Sequence, residues 1–295
     1  MTKLTIILNT YAMQREAPRT LRTMLPSMQK AVSPQEYEIL VIDNGSPDPL
    51  DLSSVDSGGV DIRPLRVSPD VSHASPVFAM NEAAAQEARG AALLICIDGA
   101  RMFSPYLIRR TLDALERAPD AVTYVGSRHL GREPQMKAVQ NGYDQAAEDA
   151  LLDSVDWAGD LDRLNEISVW AGAHGRRNAF TQNESNAIGL SKSLWQRIGG
   201  YDEGFARSGG GLCNLEMFNR LVERPDARNI LLLGESTFHQ VHGGAATSHA
   251  GYFADSLQEY ADAVGAKYAL PRYEFEVDKG LLHDREAAIG PWYYK

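Results

Sequence analysis

Hydrophobic positions in the first half of the chain fall in short unbroken runs. LTIIL (4–8), EILVID (38–43) and ALLICID (92–98) are nearly continuous in large apolar residues, the pattern of strands buried on both faces. Between them the period lengthens. Leu21, Met24, Leu25 and Met28 share one helical face and predict a helix over 17–31, kinked or split at Pro26. Ser75-Pro76 and Ser104-Pro105 each set an N-cap residue before a proline. They predict helices running to about Arg89, ended by Gly90, and to about residue 117. IRPLRV (62–67) contains Pro64 and predicts an edge strand, and AVTYVG (121–126) predicts another strand. Strands alternating with helices at this spacing imply a mostly parallel α/β sheet. Ligands of such sheets bind at the carboxyl ends of strands, where Asp43 and Asp98 stand.

From 128 to 183 the pattern changes. This stretch is polar, with Tyr143, Ala147, Leu151 and Val155 predicting a helix near 141–155 and a Gly/Arg-rich segment, AGAHGRRN, after it. It reads as an insertion. AIGL (187–190) predicts a short strand, followed by a helix from Ser191 to Gly199-Gly200. A glycine-rich loop, a helix to about 223, the strand ILLLGE, a helix near 253–266 and an aromatic tail complete the chain. The division expected is 1–127 as one α/β half, 128–250 as the insertion and second half of the same domain, and 251–295 as a C-terminal helix and arm.

Composition narrows the function. A net charge of -10 over 295 residues argues against a nucleic-acid groove, which needs a concentrated basic surface. The two cysteines, Cys96 and Cys213, form no C-x-x-C and fit a reducing, cytoplasmic setting. No apolar run approaches the ~18 residues of a membrane span, and the first residues lack the cleavage site of a signal segment. No P-loop, no G-x-S-x-G and no glycine-rich turn after the first strand is present.

Several spaced motifs coincide. The first strand runs into Thr10-Tyr11; VIDNGS follows; ASPVFAMNEAAAQEARGAALLICIDGA places an A-x-N ahead of a strand ending in Asp98; far downstream come GGYDEGF and Glu216-x-x-x-Arg220. In order and spacing these resemble glycosyltransferase family 2, over roughly residues 3–126 and 184–244. The resemblance implies a GT-A fold, with a helical and loop insertion and a C-terminal arm. It implies transfer, by inversion, of a sugar from a nucleoside diphosphate sugar, UDP-linked in preference to GDP-linked, to a hydroxyl acceptor. A glycan, a lipid-linked sugar or a polysaccharide precursor is the acceptor class implied. Residues 1–127 would then bind the nucleotide sugar and 128–250 would include the acceptor side. Thr10, Tyr11, Asp43, Asn81, Asp98, Gly99, Ala100, Arg101 and Asn186 would line the nucleotide-sugar site, with Asp43 accepting from the base. A carboxylate suits the imide N–H of uracil; alone, Asp43 reads equally well as the cap of its own DNGS turn.

Two departures matter. The family strand ends D-x-D, and its second carboxylate grips a divalent metal; here that position is Ala100. Three readings follow. Asp98, His239 and His242 hold manganese or magnesium between them; or Arg101, Arg176 and Arg177 replace the metal at the diphosphate; or the site is degenerate. The family's Glu-Asp pair in the glycine-rich loop, which supplies the base, falls on Cys213-Asn214. Glu184 in QNESNAIGL is the substitute base, with Glu216 as a second catalytic candidate. A binding protein without turnover is the alternative from another class. A nucleotidyltransferase is the other enzyme alternative; its usual basic loop is not evident after the first strand, though Arg15 and Arg19 leave it open.

Overall fold

The apolar runs become adjacent strands. In the computed structural model, which describes residues 2–171, 180, 182–245, 251–280, 285 and 289–290, β1 (Leu4–Thr10), β2 (Tyr37–Asn44), β3 (Asp61–Val67) and β4 (Ala92–Cys96) pair in parallel in the order β4-β1-β2-β3. Every residue of β1, β2 and β4 is buried, so both faces must be apolar and no alternation survives. Ile7, Leu40, Ile42, Leu93 and Ile95 enter one core cluster; Leu4, Ile6, Leu8, Ile39, Val41 and Leu94 enter another. That alternation along each strand marks opposite faces of one sheet. β3 is the outer strand, with Pro64 opposite Val41.

The sheet continues through β5 (Arg101–Phe103), β6 (Ala121–Leu130), β7 (Ser168–Trp170), β8 (Ile188–Ser191), β9 (Arg228–His239) and β10 (Glu276–Asp278). The full order is β10-β9-β6-β8-β4-β1-β2-β3, with β5 on β9 and β7 on β6. The parallel expectation holds for the first half. Beyond it the sheet is mixed, because β8 runs antiparallel between β4 and β6.

Helix boundaries depart from the sequence reading in informative ways. α1 (Glu16–Thr23) stops well short of residue 31, ahead of Pro26, and the Tyr37 hydroxyl takes the Met24 carbonyl. α2 (Val77–Glu82) passes into a π turn over Ala83–Glu87 instead of remaining α-helical to Arg89. Gly90 follows where a Cβ would lie 2.6 Å from the Thr5 nitrogen, so only glycine allows this approach to β1. α3 (Leu107–Arg117) begins beyond Pro105, since the Ser104 hydroxyl is spent on Glu235, 2.6 Å away. α6 (Lys192–Ile198) agrees with expectation: Ser191 accepts from the Leu194 N–H, and Gly199 closes it in the left-handed region.

The insertion is partly woven into the sheet. β6 extends to Leu130, further than expected, and β7 pairs with that extension. α4 (Gln135–Gln140) and α5 (Gln145–Asp153) lie between them, and Leu130, Leu152, Leu161, Leu164 and Ile167 form a small core with Met28, Met102 and Phe238. α7 (Cys213–Val222) and α8 (Tyr252–Val264) complete the described helices, and Tyr252 and Tyr260 dock the arm as buried rings. Of the tail aromatics, Trp292, Tyr293 and Tyr294 lie outside the described residues.

Candidate functional site

β5 and β9 build the centre of the site. Their antiparallel register sets Arg101 directly opposite His239. On the other side of β9, His129 of β6 is paired with His239, beyond a register irregularity between Tyr124 and Gly126. A bulge of this kind re-aims the residues after it, here Ser127 and His129. Asp98 stands in the turn between β4 and β5. Gly99 is needed there, because a Cβ would lie 2.6 Å from the Thr10 side chain and 2.7 Å from the Asn9 carbonyl.

Asp98, His239 and His242 converge. His239 Nε2 lies 2.6 Å from Asp98 Oδ2, His242 Nε2 lies 3.6 Å from Oδ1, and the two Nε2 atoms are 3.3 Å apart. These are the His/Cys/Asp/Glu atoms able to hold an ion among the described residues. The two nitrogens are close enough to bind one ion together. The chemistry of the donors also fits. Burial opposes charge on Asp98, but both imidazoles outweigh it and hold the carboxyl well below the usual range. Burial, with Arg101 nearby, lowers His239 despite Asp98, which favours the neutral imidazole, the form that ligates. His242 also loses to burial but gains more from Asp98 and is raised. His239 Nδ1 is buried without a hydrogen-bond partner.

Arg101 joins this corner to a second carboxylate. Its guanidinium lies 3.6 Å from Asp98 Oδ2 and 3.4 Å from Glu184 Oε1, and it donates to Ser127 Oγ at 2.7 Å. Glu184 is 23% exposed. Its burial is more than offset by Arg101, Ser127, Asn186 and His239, which lower its pKa. Asn186, itself buried, has an Oδ1 with no partner. Ala187 next to it takes a left-handed φ of 52°, an uncommon choice for a residue with a Cβ.

Other sequence-predicted residues lie elsewhere. Thr10 is buried and donates to the Ile42 carbonyl, whereas Tyr11 is 54% exposed. Asp43 Oδ1 accepts from the Ser46 N–H, and Oδ2 accepts from the Leu50 N–H and from Arg66. Ala100 is fully buried in a cluster with Met13 and Ala17, and its carbonyl accepts from the Gln240 N–H. Asn81 spans both backbone groups of Tyr201, each at 2.9 Å. Glu216 is bound to Arg220 at 2.7 Å, and both line a separate cavity with Asn81, Asp202 and Glu203. Arg15 and Arg19 are consumed by carboxylates, both reaching Asp149 of α5, so they form no basic loop. Arg176 and Arg177 lie outside the described residues.

Several participants escaped the sequence reading. Ser127 and His129 enter only through the β6–β9 register. Glu148 of α5, fully buried, accepts the Val241 N–H at 2.7 Å, while Arg15 donates to the Val241 carbonyl. The insertion thereby grips the backbone between the two histidines. Nothing in the local pattern around Glu148 signals this. Among the described residues no helix is long and apolar enough to cross a membrane.

No protein-family model matches the sequence, and neither does any curated protein. The fold does have solved counterparts. Residues 1–349 of S. aureus TarS superpose with a TM-score of 0.55 at 12% identity, over 91% of this chain and 67% of that one. The same fragment in complex with UDP also gives 0.55 at 12% identity, over 99% and 70%. A longer TarS structure gives 0.52 at 12% identity, over 92% and 44%. At this identity the likeness establishes the architecture, which is the GT-A-type fold of glycosyltransferases.

Proposed function

With a GT-A fold as premise, we propose that this protein is a glycosyltransferase that moves a sugar from a nucleoside diphosphate sugar to an acceptor hydroxyl. One observation carries the reading: Asp98, His239 and His242 meet beside Arg101 and Glu184 next to the carboxyl end of β4. The donor is UDP-linked in this reading, in keeping with the UDP bound to the TarS fragment. A glycan or polysaccharide precursor is the acceptor class, and the insertion and arm shape its side of the site.

Thr10, Tyr11 and the loop shaped by Asp43 would receive the base. Asp98, His239 and His242 would hold a divalent ion, manganese or magnesium, which when bound neutralises the diphosphate and stabilises the leaving group. Arg101, 3.6 Å from Asp98, would add positive charge beside the phosphates. The Asn186 carbonyl oxygen, left without a partner, would accept from a sugar hydroxyl. Glu184 would take the acceptor proton, giving inversion. Glu216, closed by Arg220, serves the scaffold in this reading, and the base is Glu184 alone.

A second reading, a protein that binds the nucleotide sugar without turnover, is favoured by the lowered pKa of Glu184, which makes it a weak base. Calorimetry with UDP and GDP, each with and without manganese, tests the site. UDP binding that requires manganese is the expected result; no binding of either nucleotide sinks both readings. Release of UDP from a panel of UDP-sugars, lost in Glu184→Ala with UDP binding retained, then decides for the transferase.

A further inference from the structure

Asn214, in the first turn of α7, lies at the edge of the site, and its amide can sit only one way round. Its Oδ1 accepts from the Ser185 backbone N–H at 3.0 Å and from the Ser185 hydroxyl at 2.7 Å. A backbone N–H is a donor only, so a flipped amide would set N–H against N–H. The Ser185 hydroxyl is itself in hydrogen-bond range of Tyr201, at 3.1 Å, which anchors the pair. The amide nitrogen of Asn214 is therefore fixed toward Glu184 Oε2, 3.4 Å away.

Glu184 is thus held from two sides. Arg101 of β5 faces Oε1 and Asn214 of α7 faces Oε2. Ser127 of β6, His239 of β9 and Asn186 of its own segment complete the groups around it. We infer that Asn214 is a positioning residue for Glu184: its fixed amide donor orients the carboxylate and favours its ionised form, a task an aspartate at this place would reverse. The inference deepens the transferase reading, since it rests on Glu184 being the working carboxylate.

Asn214→Asp is nearly isosteric and keeps the acceptor for Ser185. It replaces the donor facing Glu184 by a second carboxylate oxygen, and like charges sharing a site push one carboxyl upward. The test is carboxyl NMR of protein labelled with 13C-glutamate, with the Glu184 signal assigned by its loss in Glu184→Gln. In the unaltered protein Glu184 titrates below the ordinary glutamate range. In Asn214→Asp its midpoint rises by at least about one pH unit, and in Asn214→Ala, which removes the donor to Glu184 together with the acceptor for Ser185 but adds no charge, it rises by less. Turnover of a UDP-sugar falls about tenfold or more in kcat in both variants, with KM for the donor within about twofold, as expected for a residue acting on the chemical step. A Glu184 midpoint that moves in neither variant overturns the inference, and so does a loss confined to KM. Should Asn214→Asp fail to fold, Asn214→Ala decides alone. Absence of turnover in the unaltered protein would remove the transferase reading, while the NMR midpoints still decide whether Asn214 governs Glu184.

Discussion

Asp43 and Asp98 occupy equivalent places, each at the carboxyl end of a strand that flanks or pairs with β1, yet their surroundings differ in kind. Asp43 is bound by the backbone of its own loop, at Ser46 and Leu50, and by Arg66 of the neighbouring strand. Burial would raise it, but these donors lower it. Asp98 takes one bond from its own turn, the Ala100 N–H, and otherwise faces Arg101 and two imidazoles from far along the chain. Backbone amides can only donate. Imidazoles can also ligate, so the same carboxylate type in the same topological position is a loop brace in one place and part of a candidate ligand set in the other.

The largest expected effect separates the two directly. Asp98→Asn lowers manganese affinity in calorimetry by about 100-fold or more, and His239→Ala or His242→Ala lowers it by about 10–100-fold. Asp43→Asn leaves it unchanged within about twofold. Equal losses from Asp43→Asn and Asp98→Asn would break the contrast, and unchanged affinity in both histidine variants would remove the metal site.

Glu148 sharpens the contrast, because it ties the Asp98 corner to the insertion. Burial pushes it up to about 7 from an ordinary value of 4.5, against the Val241 N–H and Arg15. A carboxyl raised on folding contributes stability that is complete below its unfolded pKa and is lost as pH rises through the folded one. Glu148→Gln cannot ionise and escapes that loss. Relative to the unaltered protein it gains about 3 kcal/mol between pH 4 and 8, read by denaturant unfolding across that range. A constant difference between the two proteins over that range would show that Glu148 does not titrate there.

Stability should rank the carboxylates the other way round from metal affinity. Asp43→Asn removes acceptor strength from three donors and costs about 1–3 kcal/mol in unfolding, whereas Asp98→Asn in the absence of metal costs less. The smallest effect concerns the turn beside Asn186. Ala187→Gly relieves a left-handed alanine and changes stability by no more than about 1 kcal/mol. A larger loss would mean that the Ala187 methyl group is needed for packing.

Much of this was legible along the chain. Unbroken apolar runs located β1, β2 and β4, because a strand covered on both faces has no polar side to alternate with. Pro64 marked β3 as an edge, and Ser191 with Gly199 bounded α6, since caps are local chemistry. The convergence of Asp98, His239 and His242 as a candidate ligand set was also nameable, from motif order and resemblance. The extent of α1 and the start of α3 were not, because Tyr37 and Glu235, which take the freed Met24 carbonyl and the Ser104 hydroxyl, are distant in sequence.

The sequence by itself therefore determined where the buried strands β1, β2 and β4 and the capped helix α6 lie and which side chains could do chemistry, because burial pattern, capping and ligand type are properties of short stretches. Only the tertiary structure decided what those side chains face. The pairing of β5 with β9 brought Arg101 to His239, α5 delivered Glu148 to the backbone between the histidines, and the Ser185 N–H fixed the Asn214 amide toward Glu184. Each of these depends on register between segments remote in the chain, and no local pattern encodes a register.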